Sequence, residues 1–182
     1  WRCLFLYNIY KNSRDASWRF LLEYGVSTLP LDLKKIVSEM GVKVRHDNAG
    51  VLMPNELGIT VNAHGAFHII VRDAPLQQKR YTIAHEIGHI VLGHTEISVN
   101  PYIDEYAAER FATGILAPAC VLWGMDIHSA EDISKICNIS LSSAKIRARR
   151  MSVLYKREKF LTSPLEQEVY EQFSDFIKQN RK

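Results

Sequence analysis

The chain has 182 residues, 47% of them apolar and 24% charged, a balance that suits one globular domain with a core of its own. The formal net charge of +3 is too small to require a nucleic-acid or membrane partner, and no apolar run reaches the length of a bilayer span. The three cysteines, Cys3, Cys120 and Cys137, are odd in number and lack CxxC spacing, which favours free thiols in a reducing, cytoplasmic compartment over a disulfide framework.

The segment Cys3–Tyr10 is apolar but short, and no small-residue cleavage site follows it, so it is not read as a signal peptide. Ala16–Tyr24 is expected to be a helix ending at Gly25. A second helix is expected over Leu31–Met40, with Ser27 or Thr28 as its cap, Pro30 in its first turn and Gly41 as its end. The period then changes from helical to alternating. Val42 and Val44 alternate with Lys43 and Arg45, and the β-rich runs Leu57–Asn62 and Ala66–Val71 flank a turn at Asn62-Ala63-His64-Gly65. A small sheet of three or four strands follows from these runs.

Pro75 should open a helix that runs to about Leu92 and stops at Gly93. Its second half is apolar on nearly every face except at His85, Glu86 and His89, so it is buried and its polar groups need partners. Further helices are expected at about Ile103–Leu116, Ala130–Cys137, Leu141–Tyr155 and Leu165–Gln179, the last opened by a capping box, Ser163-Pro-Leu-Glu166. No repeat or low-complexity stretch is present. Residues 15–125 are read as a core and 126–182 as a helical region packed on it, a single domain overall.

The chemistry gathers at His85-Glu86-Ile87-Gly88-His89. Four residues is just over one helical turn, so both imidazoles leave one face and can hold one metal ion, which suits zinc. Glu86 adjoins the first ligand and is better placed to take a proton from water than to coordinate. By chance alone such a string arises in about one or two of every hundred chains, and its place inside an apolar helix argues against chance. A zinc hydrolase takes three protein ligands. Glu105 and Glu109 share a helix face, so one can bind the metal and the other can accept the free N–H of a ligating histidine. A solvated acidic first turn is the plainer reading of these carboxylates.

Arg80-Tyr-Thr-Ile-Ala-His-Glu-Ile-Gly-His, Leu92-Gly93-His94, Glu105-x-x-Ala-x-x-Phe-Ala112 and Leu116-Ala-Pro118 together resemble the ImmA/IrrE metallopeptidases over roughly residues 15–155. The resemblance implies an α+β, zincin-like fold with the HExxH helix central, His85, His89 and Glu105 as zinc ligands, and Glu86 as catalytic base. It implies an endopeptidase whose protein substrate is a helix-turn-helix transcriptional repressor in a stress-response or mobile-element switch. The arrangement is also similar to thermolysin-like peptidases, where an acidic residue at the position of Glu109 buttresses a ligand histidine. Glu109 departs from the family's more usual Asn or Asp, and Ala117 from its more usual Met.

Tyr102, Tyr106, Arg110, His94 and His128 are candidates for stabilising an oxyanion, and sequence does not rank them. Residues 130–160 carry eight Lys or Arg against three acids and read as helix, short turn, helix. That pattern could read DNA, making the chain a regulator with a structural or sensory zinc site. The remainder of the chain is net negative, however, so packing or repressor docking is the expected role of this pair.

Overall fold

The computed structural model describes residues 2–94 and 100–181, with side chains from Tyr7 onward. The chain divides into two compact units, Trp1–Ala16 with Asp32–Ala112, and Ser17–Leu31 with Thr113–Lys182. The fold is α+β. The Cys3 side chain lies outside the described residues, whereas Cys120 and Cys137 are buried thiols that form no disulfide.

The first unit holds the sheet. Helix α1 (Arg2–Glu23) begins far earlier than the expected Ala16, because its first half lacks the apolar periodicity that marks a helix in sequence. Helix α2 (Leu33–Glu39) starts later than expected: the Asp32 carboxylate accepts from the Lys35 amide at 3.1 Å and caps it, in place of Ser27 or Thr28. Strands β1 (Lys43–His46), β2 (Gly58–Ala63) and β3 (Ala66–Val71) make a three-stranded sheet in the order β1-β3-β2. β1 runs parallel to β3 with Val44 opposite Ile69, and β2 runs antiparallel to it with Thr60 opposite Ile69. The β2–β3 hairpin turns through His64 and Gly65, both at positive φ, and the Asn62 side chain accepts from the Gly65 amide at 3.1 Å.

Helix α3 (Leu76–Val91) lies against β2 and β3. Ile69, Val71, Ala84 and Ile87 are buried there. It ends at Gly93, whose φ of 76° admits no ordinary side chain. The first half of α4 (Pro101–Leu116) packs on α3: Gly88 is so close to Ala108 and Phe111 that a Cβ would approach each to 3.2 Å.

The second unit is helical among its described residues. Helix α5 (Ala119–Gly124) follows Pro118 and was not expected; the proline stands just before the helix, where it cannot disturb the hydrogen-bond ladder. Helices α6 (Ala130–Cys137) and α7 (Leu141–Lys156) are capped by Ser129 and Ser140. Asn138 takes the left-handed conformation between them, and Ile133, Cys137, Ile139 and Ala144 are buried. The expected last helix is two: α8 (Pro164–Gln172) and α9 (Ser174–Asn180), separated at Phe173. Ser163 caps α8 as its capping-box sequence requires, and the Glu166 carboxylate accepts from the Thr162 amide at 3.1 Å. Gln172 donates to the Leu21 and Val26 carbonyls at 2.8 and 2.7 Å, satisfying acceptors at and beyond the end of α1. No helix among the described residues is long and apolar enough to cross a membrane.

Candidate metal centre

All the groups of this site belong to the first unit. His85 and His89 lie one turn apart on α3, and Glu105 comes from the first turns of α4. The two Nε2 atoms are 3.0 Å apart. Glu105 Oε2 is 3.1 Å from His85 Nε2, and Glu105 Oε1 is 3.3 Å from His89 Nε2. Among the described residues these are the three whose donor atoms converge as a metal-binding group, and Glu109 is not one of them.

A tetrahedral ion with bonds of about 2.0–2.1 Å separates its ligand atoms by about 3.3–3.4 Å. Each of the three observed separations, the two to Glu105 ending on different oxygens of its carboxylate, lies within a few tenths of an ångström of that. Hydrogen bonding alone serves it poorly, because two imidazole nitrogens face one another while both face a carboxylate. One cation at the centre would engage all three lone pairs. Burial pushes the His89 imidazole down to about 4, with the neighbouring His85 adding to the effect, so His89 is neutral at ordinary pH with its lone pair available. The residues therefore fit a metal ion.

Glu86 is 6% exposed and faces the sheet. The Thr60 hydroxyl donates to Glu86 Oε2 at 2.9 Å. Burial pushes the Glu86 carboxyl above its ordinary range, against the lowering effect of the Thr60 bond and of His85, and with a smaller raising effect from Glu105 and Glu56. A carboxyl shifted that way is a better proton acceptor than a solvated one.

A cavity of about 550 Å³ opens over these groups, floored by His85, Glu86, His89 and Glu105 and walled by Gly58, Ile59 and Thr60 of β2. Its rim is the segment between β1 and β2. Arg72 holds that segment, donating to the carbonyls of Glu56 at 3.0 Å, Met53 at 2.8 Å and Leu52 at 3.4 Å. Asp47 accepts from the Val51 and Leu52 amides at 2.8 and 3.1 Å, and these bonds, Val51's first, hold its carboxyl below the usual range.

Of the five residues considered for oxyanion stabilisation, His94 alone lines the cavity. Its Nε2 is 3.5 Å from Asp104 Oδ1, and burial lowers its pKa. Tyr102 is 84% exposed. Arg110 lies over the Tyr106 ring, 5.1 Å from its centroid. His128 belongs to the second unit and bonds Asp126 at 2.8 Å. Tyr81 lines the cavity one turn before His85 and went unnoticed in the sequence, although the same i, i+4 spacing that links the histidines places it there. Thr60 and Gly58 were also missed, because strand periodicity tells which face a residue takes but not which helix side chain it meets.

An α+β unit with two histidines and a glutamate converging on one point, a carboxylate beside them and a cleft above is the architecture of a metallopeptidase. The family model Peptidase_M78, the IrrE N-terminal-like domain, matches residues 38–149, and the chain belongs to that family. No curated protein shows significant similarity to the chain.

Proposed function

We propose that the protein is a zinc-dependent endopeptidase that hydrolyses a peptide bond in a protein substrate. The observation that carries this reading is the Nε2, Nε2, carboxylate triangle with Glu86 beside it at the floor of an open cleft. His85, His89 and Glu105 would hold the ion. When bound, zinc supplies a Lewis-acidic position for the substrate carbonyl and lowers the pKa of water. Glu86 accepts the proton of the attacking water and passes it to the leaving nitrogen. Its low exposure and raised pKa support that role.

The substrate would enter as an extended strand. β2 is an edge strand that pairs with β3 alone among the described residues, and it walls the cleft at Gly58, Ile59 and Thr60. Its outer backbone groups can therefore receive a strand beside the reacting centre. The resemblance to ImmA/IrrE peptidases supports a cytoplasmic setting and a helix-turn-helix repressor as substrate. The test is metal analysis together with incubation of the zinc-loaded protein with a co-encoded repressor. About one equivalent of zinc and a single cut that chelation abolishes are expected. An intact repressor under those conditions would overturn the reading of the substrate.

The helical pair α6–α7 supports a second reading, a DNA-binding regulator with a structural or sensory zinc site. Lys145 and Arg149 of α7 are exposed and α7 carries no acid. Tight, site-specific DNA binding that Lys145→Ala and Arg149→Ala abolish, with proteolysis unchanged, would favour it.

A further inference from the structure

Glu86 is gripped by one strand rather than by its own helix. Its Oε2 accepts from the Thr60 hydroxyl at 2.9 Å, and that hydroxyl also lies 3.4 Å from the Glu86 carbonyl oxygen. Oε1 has no hydrogen-bond partner among the described residues. Two residues earlier on β2, Gly58 leaves room for this second oxygen: a Cβ there would lie 3.4 Å from Oε1, 3.3 Å from the Ile70 carbonyl and 2.5 Å from Thr82 Cγ2. Gly58 and Thr60 point to the same face of the strand because they are two apart. One face of β2 thus supplies a donor for one oxygen and space for the other.

A free glutamate side chain samples several rotamers, and its terminal torsion is broad and roughly two-fold. A single hydroxyl proton given to Oε2 removes that degeneracy. It fixes which oxygen is engaged and leaves the other, on the Gly58 side, with its lone pairs intact. Reaction geometry is exacting, and a group misplaced by about 1 Å can lower a rate about 10²-fold.

Building on the reading of Glu86 as the base, we infer that Thr60 is a positioning residue for it, and that the edge strand proposed to receive the substrate also aims the proton acceptor. Substrate pairing along β2 then stiffens the strand that carries the Thr60 hydroxyl, so docking and alignment of the base are one event. The bond is local to β2 and α3, and Thr60 touches none of His85, His89 and Glu105 through any hydrogen bond described above, so metal binding is independent of it.

The experiment compares Thr60→Val, which keeps shape and β propensity but removes the hydroxyl, with Thr60→Ser, which restores it. Three readouts are taken: zinc affinity, the Glu86 side-chain orientation in crystal structures of the zinc-loaded proteins, and kinetics on an internally quenched peptide selected from a random library by the unmodified protein. Thr60→Val should keep its zinc, show a rotated or disordered Glu86 carboxylate, and lose about 10–100-fold in kcat with KM unchanged. Thr60→Ser should recover both orientation and kcat. Should Thr60→Val not fold, Thr60→Ala takes its place. A Thr60→Val protein with Glu86 in its original orientation, or with full kcat, overturns the inference. A zinc-loaded unmodified protein that cleaves no peptide sinks the peptidase reading instead, and the carboxylate orientation alone then decides the role of Thr60.

Discussion

Replacing Gly88 by Ala tests whether the contact between α3 and α4 sets the spacing of the three proposed metal donors. A Cβ at Gly88 would lie 3.2 Å from Ala108 Cα, 3.2 Å from the Ala108 carbonyl oxygen and 3.2 Å from Phe111 Cδ1. Two of those atoms are backbone and Phe111 is fully buried, so no side chain can swing clear. Carbon contacts settle at about 3.5–4.0 Å, which requires α4 to draw back by about 0.3–0.8 Å. Overpacking of that kind costs about 1–3 kcal/mol, and the helix propensity gained on replacing Gly by Ala offsets about 1 kcal/mol, leaving a net loss of about 0–2 kcal/mol. Metal sites tolerate ligand displacements of only about 0.2 Å. Ala108 lies three residues beyond Glu105, so the same retreat carries the carboxylate off the triangle. Zinc affinity should therefore fall at least about tenfold, or about 1.4 kcal/mol, while the urea midpoint of the metal-free protein falls little. Competition against a chromophoric chelator, beside urea titration of the metal-free protein, measures the two. A folded Gly88→Ala protein with unchanged zinc affinity would refute the argument that this contact places Glu105.

Other outcomes follow from the same geometry. His85→Ala and His89→Ala should each lose most of the zinc, and Glu105→Ala should weaken binding more than Glu109→Ala, all by metal analysis after dialysis; the reverse order of the glutamates would move the third ligand by one turn. Glu86→Gln should retain zinc and lose about 10²–10⁴-fold in peptide cleavage, and normal cleavage would remove it from the mechanism. Burial first, and then the Glu166 carboxylate, push the Cys120 thiol from 9.0 up to about 12. The unfolded chain therefore releases this proton at lower pH than the folded one, so stability is unaffected below about pH 9 and falls as pH rises from there toward about 12. Urea midpoints across that range should fall less steeply in Cys120→Ala, and alkylation of Cys120 near neutral pH should require denaturant. Arg147 is only 9% exposed, unlike Lys145 and Arg149. Arg147→Ala should lower the melting temperature, whereas Lys145→Ala and Arg149→Ala should not.

The helices of the second unit were legible where a serine cap or a left-handed residue stood at an end, as at Ser140 and Ser163. Helix α5 was not, because its six residues are too few to show a helical period in the sequence. The break at Phe173 has no glycine or proline to announce it. In the first unit the histidine spacing dictated a shared face whatever the tertiary structure, so local geometry sufficed. Glu105 and Glu109 were equivalent by spacing, and only the resemblance distinguished them. What separates them physically is the docking of α4 at Gly88, a contact between segments far apart in the chain. The order β1-β3-β2 was hidden for the same reason, since the parallel β1–β3 pairing joins strands that are not consecutive in the chain.

The Arg72 staple changes who bears the entropy of association. Fixing one backbone residue costs about 1–2 kcal/mol at room temperature. The rim between β1 and β2 is already fixed by three carbonyl bonds to Arg72 and two amide bonds to Asp47. Its ordering is charged to folding, not to encounter. An incoming polypeptide meets a preorganised lip, and the ordering that remains is its own. Such a cleft discriminates by the conformation its visitor can reach: a segment that is frayed, extended or partly unfolded enters readily, and one locked in a stable helix does not. Susceptibility would then be decided by the local stability of the target as much as by its residues at the cut.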